Sequence, residues 1–224
     1  MNRKDDLIPD VAVFDIDGTI IRNNTFFSFV RFFLKRNHKL RYFVFLLLSS
    51  GPFKVFWVLY NKIFSFELYR HLCVWLLRGA YESEVSKAAF DFIDLLGDEE
   101  YFAPTLHLIS DFKKKGMDIV LISGTLSYLA ESLGERLGAT SAIGFLPALV
   151  NGRLTGQIES DPRGRKHVFL RSLLVEKQFF FVTDNKEDMP LILLANKAWV
   201  VSKKKNVTWW KSHLKGLTIV ERES

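Results

Sequence analysis

The stretch Val11-Ala12-Val13-Phe14-Asp15-Ile16-Asp17-Gly18-Thr19, near the amino terminus of this 224-residue chain, decides the fold. Its four leading apolar residues predict a buried strand, and the Asp-x-Asp-Gly sequence that follows ends the strand in a turn. In open α/β sheets the active site lies just beyond the carboxyl ends of the strands, so Asp15 and Asp17 would stand at such an edge. Neighbouring carboxylates of this kind attract hard divalent ions such as Mg²⁺. A lone Asp-x-Asp also occurs in solvated turns, so this interpretation depends on further motifs downstream.

The composition favours anionic partners. Apolar residues make up 48% of the chain, and 31 lysines and arginines outnumber 25 aspartates and glutamates, for a net charge of +6. Phosphate esters, nucleic acid and anionic lipid all carry the complementary charge. No nucleic-acid recognition motif accompanies the basic residues, so we expect no nucleic-acid partner, and we infer no obligate protein partner. Cys73 is the only cysteine and residues 1–10 lack a signal-peptide apolar stretch, so we expect a cytoplasmic protein.

Beyond Pro104 the chain alternates between helical and strand patterns. This alternation predicts an α/β fold, with a parallel sheet and right-handed crossovers. The sequence Leu149–Leu154 predicts a hairpin with a type I′ Asn-Gly turn. A helix is predicted over 165–177, and a basic tail that contains Trp209-Trp210 is predicted after the last strand. The further strands are predicted at 118–122, 141–145, 179–182 and 198–201.

An aromatic, helical region interrupts this alternation after the first strand. Eleven of the 21 phenylalanines lie between residues 26 and 66, and Gly51-Pro52 is predicted to separate two helices there. A third helix is predicted over 67–77 and a fourth over 82–96, ending at Gly97. We therefore predict a helical cap, residues 23–99, inserted into an α/β core that consists of residues 1–22 and 100–224.

Three predicted strands end in polar groups that could share one pocket. Asp15 and Asp17 follow the first strand, Ser123-Gly124 the second and Asp184 a later one, and Asp188 comes one helical turn further on. The carboxyl ends of parallel strands lie at one edge of a sheet, so these residues are expected to converge there. Phosphoryl transfer to a carboxylate suits them, with one aspartate as nucleophile and another as proton carrier. A metal ion and Lys166 could neutralise the phosphoryl oxygens.

The order of these motifs resembles that of phosphatases of the haloacid dehalogenase superfamily, in the phosphoserine-phosphatase-like branch. The resemblance implies a Rossmann-like parallel sheet with an inserted helical cap. It also implies that Asp15 is the nucleophile and a metal ligand, and that Asp17 is the general acid and base, with its main-chain carbonyl on the metal. Ser123 and the amide of Gly124 would hold the phosphoryl oxygens. The same residues would also serve a phosphotransferase, so hydrolysis is itself an inference.

The remaining roles come from the same resemblance. Lys166 would neutralise the phosphoryl group and the nucleophile, Asp184 would bind Mg²⁺, and Asp188 would support the metal through water or position Lys166. The last motif departs from the family pattern, which usually begins Gly-Asp, because here it reads Thr183-Asp184-Asn185. The metal carboxylate is retained, whereas the turn around it is less well defined by the pattern. The hairpin at 151–156 also resembles a segment of this branch.

The predicted cap leaves open whether the protein contacts a membrane. Tyr42–Leu48 and Phe53–Tyr60 are apolar, and Ser49–Lys54 separates them. One transmembrane span, two helices in the membrane interface, or a packed cap with its aromatic side chains turned inward would each explain this pattern. Lys203–Lys205 and Trp209-Trp210 could add a basic, aromatic contact or form a solvated tail.

Three functions follow from these alternatives. An apolar, basic cap favours a lipid phosphomonoester such as phosphatidylglycerophosphate, hydrolysed by an enzyme peripheral to the inner face of the membrane. This pattern resembles the membrane-associated phosphatidylglycerophosphatases of the same branch. The alternative is a soluble phosphatase for phosphoserine or another small phosphate ester. A catalytically inactive membrane adaptor is a third hypothesis, but such a protein is expected to lack a motif carboxylate, and all four are present.

Overall fold

The predicted first strand forms β1, Val11–Phe14, and all four of its residues are buried. The computed structural model of the protein describes residues 9–51, 53, 56, 59, 67–174, 177–214 and 217–222. Parallel strands covered on both faces read as continuous apolar runs, and Val-Ala-Val-Phe is such a run. β1 pairs in parallel with a strand on each side, so Val13 stands opposite both Val120 and Phe181. The strand therefore lies in the interior of the sheet.

Within the described ranges, seven strands form one sheet in the order β4-β3-β2-β1-β5-β6-β7. The other strands are β2 (Asp118–Leu126), β3 (Ser141–Val150), β4 (Arg153–Ser160), β5 (Phe179–Thr183), β6 (Lys197–Lys203) and β7 (Thr218–Arg222). All neighbouring strands run parallel except β3 and β4, which form an antiparallel hairpin. The predicted α/β class with a mainly parallel sheet is confirmed.

Helices connect the strands and cover the sheet. They are α1 (Thr25–Asn37), α2 (Lys39–Leu48), α3 (Leu68–Leu76), α4 (Glu82–Asp94), α5 (Ala103–Lys114), α6 (Ser127–Leu137), α7 (Lys166–Phe169), α8 (Met189–Leu194) and α9 (Lys204–His213). Short 3-10 turns span Asp98–Glu100 and Lys186–Asp188. Helices α1 to α4 follow β1 and precede the 3-10 turn at residue 98, in the region predicted as the cap. The boundaries of that cap, residues 23–99, stay a prediction.

Helix α1 packs its aromatic face inward. The Asn24 side chain caps the helix by accepting a hydrogen bond of 3.1 Å from the amide of Phe27. Phe26, Phe29 and Phe33 are all buried, and the ring of Phe26 stands edge-on to Phe145 of β3 at 5.1 Å between centroids. This spacing puts the rings on one side of the helix, so here the aromatic residues belong to the protein core.

Helix α2 differs from α1 because its apolar residues face outward. Only Phe45 of its ten residues is buried. Leu40, Phe43 and Leu47 are 79%, 67% and 51% exposed, and Val44 is exposed beside them. Positions 40, 43, 44 and 47 lie along one side of a helix, so they form a continuous apolar strip, called here the α2 strip.

The second apolar segment of the predicted cap, 53–66, falls largely outside the described residues, as does Pro52 of the predicted helix break. Three of its residues, at positions 53, 56 and 59, are described. Among the residues that the structure covers, no helix combines the length and apolar character that crossing a bilayer requires.

In the carboxyl-terminal half, the predicted hairpin is confirmed and the helix predicted over 165–177 is wrong. Asn151 and Gly152 both have positive φ, as a type I′ turn requires. The helix predicted over 165–177 is reduced to α7, which has no side-chain hydrogen bond at its amino-terminal cap and gives way to turns. Leu170 is fully buried directly after α7, so packing against the sheet outweighs the helical pattern of this segment.

The basic carboxyl-terminal segment is part of the fold instead of a solvated tail. It forms α9 and then β7, which extends the sheet beyond the strand that was predicted to be last. Trp210 is 1% exposed and belongs to an apolar cluster that also contains Val11 and Val13 of β1. Its neighbour Trp209 is only partly buried and has the ammonium of Lys186 4.0 Å from its ring centroid. Trp210 therefore serves the core.

Candidate active site

The nucleophile predicted from the sequence lies directly beyond β1. Asp15 is 4% exposed, and its Oδ1 accepts a 2.8 Å hydrogen bond from the amide of Ile16. The Lys166 ammonium is 2.9 Å from the same oxygen, and the Thr183 hydroxyl lies 3.5 Å from Oδ2. Burial raises the pKa of Asp15, and the Lys166 charge opposes that rise. The carboxylate is therefore largely buried, lies at the wall of a cavity and is paired with the Lys166 ammonium.

Lys166 is the centre of a buried charge cluster. Its side chain is 5% exposed, and its Nζ is 2.8 Å from Oδ2 of Asp188 as well as close to Asp15. The Thr183 hydroxyl donates a 2.6 Å hydrogen bond to that Asp188 oxygen. Burial alone would lower the pKa of Lys166, but the two carboxylates raise it, so the ammonium keeps its charge. Of the two roles predicted for Asp188, this contact corresponds to positioning Lys166.

Asp17 is held by the first turn of α1. Its Oδ1 accepts hydrogen bonds from both the amide and the hydroxyl of Thr25, at 2.9 and 2.7 Å. The Thr25 hydroxyl also contacts the hydroxyl of Thr125 at 2.7 Å, which ties the group to β2. Burial raises the pKa of Asp17 to about 6, a value suited to a proton carrier near neutral pH. Neither threonine was singled out from the sequence.

Asp184 lies beyond β5 and faces the turn after β1. Gly18 has a φ of +81°, and a Cβ on it would stand 2.2 Å from Oδ2 of Asp184. Only glycine therefore allows this close approach. Burial raises the pKa of Asp184 to about 7, repulsion from Asp15 adds to the rise, and Arg222 and Lys166 oppose it. Arg222, from β7, has Nη2 3.3 Å from the same carboxylate.

The motif predicted to bind the phosphoryl group, Ser123-Gly124, lies in an irregular part of β2. The pairing of β2 with β3 shifts between Ile122 and Leu126, and Ser123 and Gly124 occupy that shift. β2 therefore continues past the predicted end at residue 122. A cavity of about 270 Å³ opens here and brings together all the predicted site residues except Asp188. Its lining is Asp15, Asp17, Asn24, Phe26, Phe27, Arg70, Ser123, Gly124, Arg163, Gly164, Lys166, Asp184 and Asn185.

Two arginines at this cavity were missed from the sequence. Arg70 comes from α3, and Arg163 from the segment between β4 and α7. No pattern within either segment points to the pocket, because each arginine is one of many basic residues in the chain. Arg163 precedes the predicted Lys166 by three residues, which was the one available signal. Both arginines pair with acidic residues and contact Gly124.

The donor set suits a magnesium ion. Asp15 and Asp184 supply carboxylate oxygens, and the repulsion between them contributes to the raised pKa of Asp184. A bound cation would relieve that repulsion. Within the described ranges, no group of three or more His, Cys, Asp or Glu side chains could hold a metal ion alone. Mg²⁺ binds through one or two carboxylates and keeps several water ligands, so two carboxylates and the Asp17 carbonyl would suffice.

Comparison with known proteins identifies the family. The sequence profile of the haloacid dehalogenase-like hydrolases matches residues 12–192. No curated protein matches the chain significantly at the sequence level.

Solved structures of similar fold include a protein of unknown function from Bordetella pertussis Tohama I, with 18% identity, a TM-score of 0.71, and 94% and 97% coverage of this chain and that one. A substrate-bound phosphoserine phosphatase has 17% identity, a TM-score of 0.60, and coverages of 96% and 94%. A phospho-aspartyl intermediate analogue of phosphoserine phosphatase has 18% identity, a TM-score of 0.57, and 86% coverage of each chain. The profile match covers most of the chain, and these structures share its fold. The chain therefore belongs to the haloacid dehalogenase-like hydrolase family, as its motifs predicted.

Proposed function

We propose that this protein is a Mg²⁺-dependent phosphomonoester hydrolase that works through an aspartyl-phosphate at Asp15. The observation that carries the proposal is the buried Lys166 ammonium, 2.9 Å from Asp15, in the cavity that Ser123 and Gly124 also line. A carboxylate, a fixed cation, and hydroxyl and amide donors in one pocket are the parts that phosphoryl transfer to aspartate needs. Family membership and the fold shared with phosphoserine phosphatases support a phosphatase.

The reaction would proceed in two balanced steps. An oxygen of Asp15 attacks phosphorus, the bond between phosphorus and the ester oxygen breaks, and Asp17 gives its proton to the leaving oxygen. Water then attacks the aspartyl-phosphate, Asp17 takes a proton from it, and inorganic phosphate and free Asp15 result. The pKa of about 6 supports Asp17 in both directions of proton transfer. Ser123, the Gly124 amide and Lys166 would stabilise the phosphoryl oxygens throughout.

A magnesium ion would be held by the carboxylates of Asp15 and Asp184 and the main-chain carbonyl of Asp17. When bound, it would supply positive charge beside the transferring phosphoryl group. Asp188 would act through Lys166, since their atoms are 2.8 Å apart.

The size of the pocket favours a small phosphate ester. About 270 Å³ accommodates a phosphoryl group with a small substituent, and the Phe26 and Phe27 rings form part of its wall. Phosphoserine or another small ester would satisfy this volume, so a soluble substrate is our first candidate.

A lipid phosphate is the second candidate, and the α2 strip is the observation that favours it. The strip is exposed, and nearby basic side chains on α1 and α2 are exposed as well. Such a face suits an anionic membrane surface, to which the protein would bind peripherally. A lipid would then place only its headgroup in the pocket and keep its acyl chains outside. The exposed basic residues are Arg31, Lys35, Arg36 and Lys39.

A phosphate-release screen tests the function and separates the two candidates. The protein with Mg²⁺ is offered soluble esters, phosphoserine included, and lipid phosphates in mixed micelles. We expect release that stops with a chelator and is absent in Asp15→Asn, whereas Asp118→Asn, at a partly exposed carboxylate at the other end of β2, retains it. Phosphate release by Asp15→Asn at the wild-type rate would refute the assignment of Asp15 as the nucleophile. Release from no ester by the wild-type protein would refute the proposal and favour an inactive adaptor or a phosphotransferase.

A further inference from the structure

We infer that Arg70 is a positioning residue that holds the irregular part of β2 at Ser123-Gly124, the proposed phosphoryl-binding segment, in shape. The inference deepens the proposed function and rests on it. Arg70 belongs to α3, in the region inserted after β1, whereas this segment belongs to β2 of the sheet. Through this one side chain, the inserted region would set the geometry of the phosphoryl site.

The guanidinium of Arg70 forms hydrogen bonds and an ion pair with other residues of the protein. Its Nη2 donates a 2.8 Å hydrogen bond to the carbonyl oxygen of Gly124. Nη1 and Nη2 form a two-pronged pair with the carboxylate of Asp161, at 2.5 and 3.2 Å. The group also lies 4.8 Å from the ring centroid of Phe145, and the side chain is 6% exposed. A planar guanidinium with these partners is fixed in orientation, so it acts on Gly124 from a rigid position.

Gly124 is the residue that most needs such support. It has no side chain, so its backbone is less restricted than that of any neighbour, and its amide is a predicted phosphoryl donor. The hydrogen bond from Arg70 restrains the Gly124 carbonyl. The aliphatic part of the Arg163 side chain also packs against Gly124, since a Cβ on Gly124 would lie 3.3 Å from the Cβ of Arg163. Together these contacts restrict the segment to one arrangement before a phosphoryl group arrives, which is what preorganised stabilisation requires.

A small ion cluster connects the two arginines. Glu67, next to α3, has one carboxylate oxygen 2.5 Å from Nη1 of Arg163 and the other 3.7 Å from Nη1 of Arg70. Arg163 also approaches Glu187 at 3.5 Å. The Arg163 side chain is 40% exposed, so its ion pairs are screened by water and contribute little. Buried Arg70 and its partner Asp161 are therefore the pair whose loss should matter.

Binding of inorganic phosphate is the decisive measurement, because it depends on the Ser123-Gly124 segment and involves no leaving group. We expect Arg70→Met to weaken phosphate binding in the presence of Mg²⁺ by roughly ten-fold, the loss typical of one hydrogen bond to a charged group. Arg70→Lys should recover part of the affinity, because lysine can reach only one of the two acceptors at a time. Phosphate affinity is read by calorimetry and by competitive inhibition, on the full chain.

Two further variants separate positioning from simple stabilisation. Arg136→Met is the matched control, because Arg136 also joins the inserted region to the core: it donates to the Ile93 carbonyl at 3.0 Å and lies 5.7 Å from the ring centroid of Tyr101. It should lower the unfolding temperature yet leave phosphate affinity at the wild-type value. The double variant Arg70→Asp/Asp161→Arg should restore the ion pair without restoring phosphate affinity, because aspartate cannot donate to the Gly124 carbonyl.

Two results with the Arg70→Met variant would contradict the inference. Wild-type phosphate affinity in a folded Arg70→Met protein would overturn the inference. So would a raised KM for the ester with unchanged phosphate affinity, because Arg70 would then act on the leaving group instead of the Ser123-Gly124 segment. Failure of the proposed function would give a different result, because the wild-type protein itself would then neither release nor bind phosphate.

Discussion

Gly18 shows how much of the site depends on single residues. Its positive φ and the absence of a Cβ allow the turn after β1 to approach Asp184. In the same turn, the carbonyl of Gly18 accepts a 2.5 Å hydrogen bond from Nη1 of Arg222. This residue thus joins β1, β5 and β7 without contributing a side chain. Asp17 is one position away, so a displaced turn would move the proton carrier as well.

Gly18→Ala is therefore predicted to damage the metal site specifically. The new Cβ would overlap Asp184, and the expected result is a Mg²⁺ response weakened at least several-fold, measured as the rise in unfolding temperature on adding Mg²⁺. The backbone strain itself costs about 1 kcal/mol. Gly116→Ala is the control, because Gly116 has a similar φ of +76° with nothing within 4 Å of its Cβ position. Equal Mg²⁺ responses in the two variants would contradict the assignment of Asp184 to the metal.

Helices α1 and α2 are both rich in apolar residues, but α1 buries its apolar face and α2 exposes one. Phe26, Phe29 and Phe33 of α1 are buried, so the aromatic face of this helix is ordinary core. The α2 strip is exposed, and soluble monomers rarely expose large apolar patches without a use for them. The packed cap predicted as one alternative describes α1, whereas an interfacial helix remains the prediction for α2.

Vesicle flotation tests the α2 strip. The wild-type protein is expected to float with anionic liposomes and less so at high salt, because each basic residue near the surface adds roughly 1 kcal/mol. Replacing Leu40, Phe43 and Leu47 by Ser should reduce flotation at least several-fold. Replacing Leu193 and Leu194 of α8 by Ser is the control, since these residues are as exposed but lie on another helix. If the wild-type protein does not float with any lipid composition, the lipid candidate loses its support.

At the scale of the whole molecule, the buried carboxylates make stability depend on pH. Burial raises the pKa of Asp17 to about 6 and that of Asp184 to about 7, from 3.8 for an unperturbed aspartate. Between about pH 4 and 7 the folded protein therefore binds more protons than the unfolded chain. The free energy of unfolding must fall as pH rises through this window, by up to about 1.4 kcal/mol per pH unit for each group.

Urea unfolding in a chelator, from pH 5 to pH 8, measures this fall. Asp184→Asn should make the fall shallower and should stabilise the protein at pH 8, because the buried charge is removed. Asp111→Asn, on the exposed side of α5, should leave the slope unchanged. A free energy of unfolding that rises from pH 5 to pH 8 would show that these carboxylates ionise at a lower pH than we infer.

The positions of the chemical groups along the chain could be predicted because they are local properties. A buried parallel strand needs apolar residues on both faces, and a polar turn must follow it. Asp15, Ser123 and Asp184 were assigned to one edge on this basis, and they line one pocket. The helical pattern over 165–177 was a poorer guide, because turns follow α7 where Leu170 packs into the core.

The sequence by itself determined the α/β class, the family motifs and their common sheet edge. Only the tertiary structure decided which side chains complete the pocket and which apolar residues are covered. Arg70 and Gly124 are 54 residues apart, and Arg222 and Gly18 are 204 apart, so no local period connects them. Phe26 is buried and Phe43 exposed because burial depends on which element packs against a helix face, and that is set by contacts between distant parts of the chain.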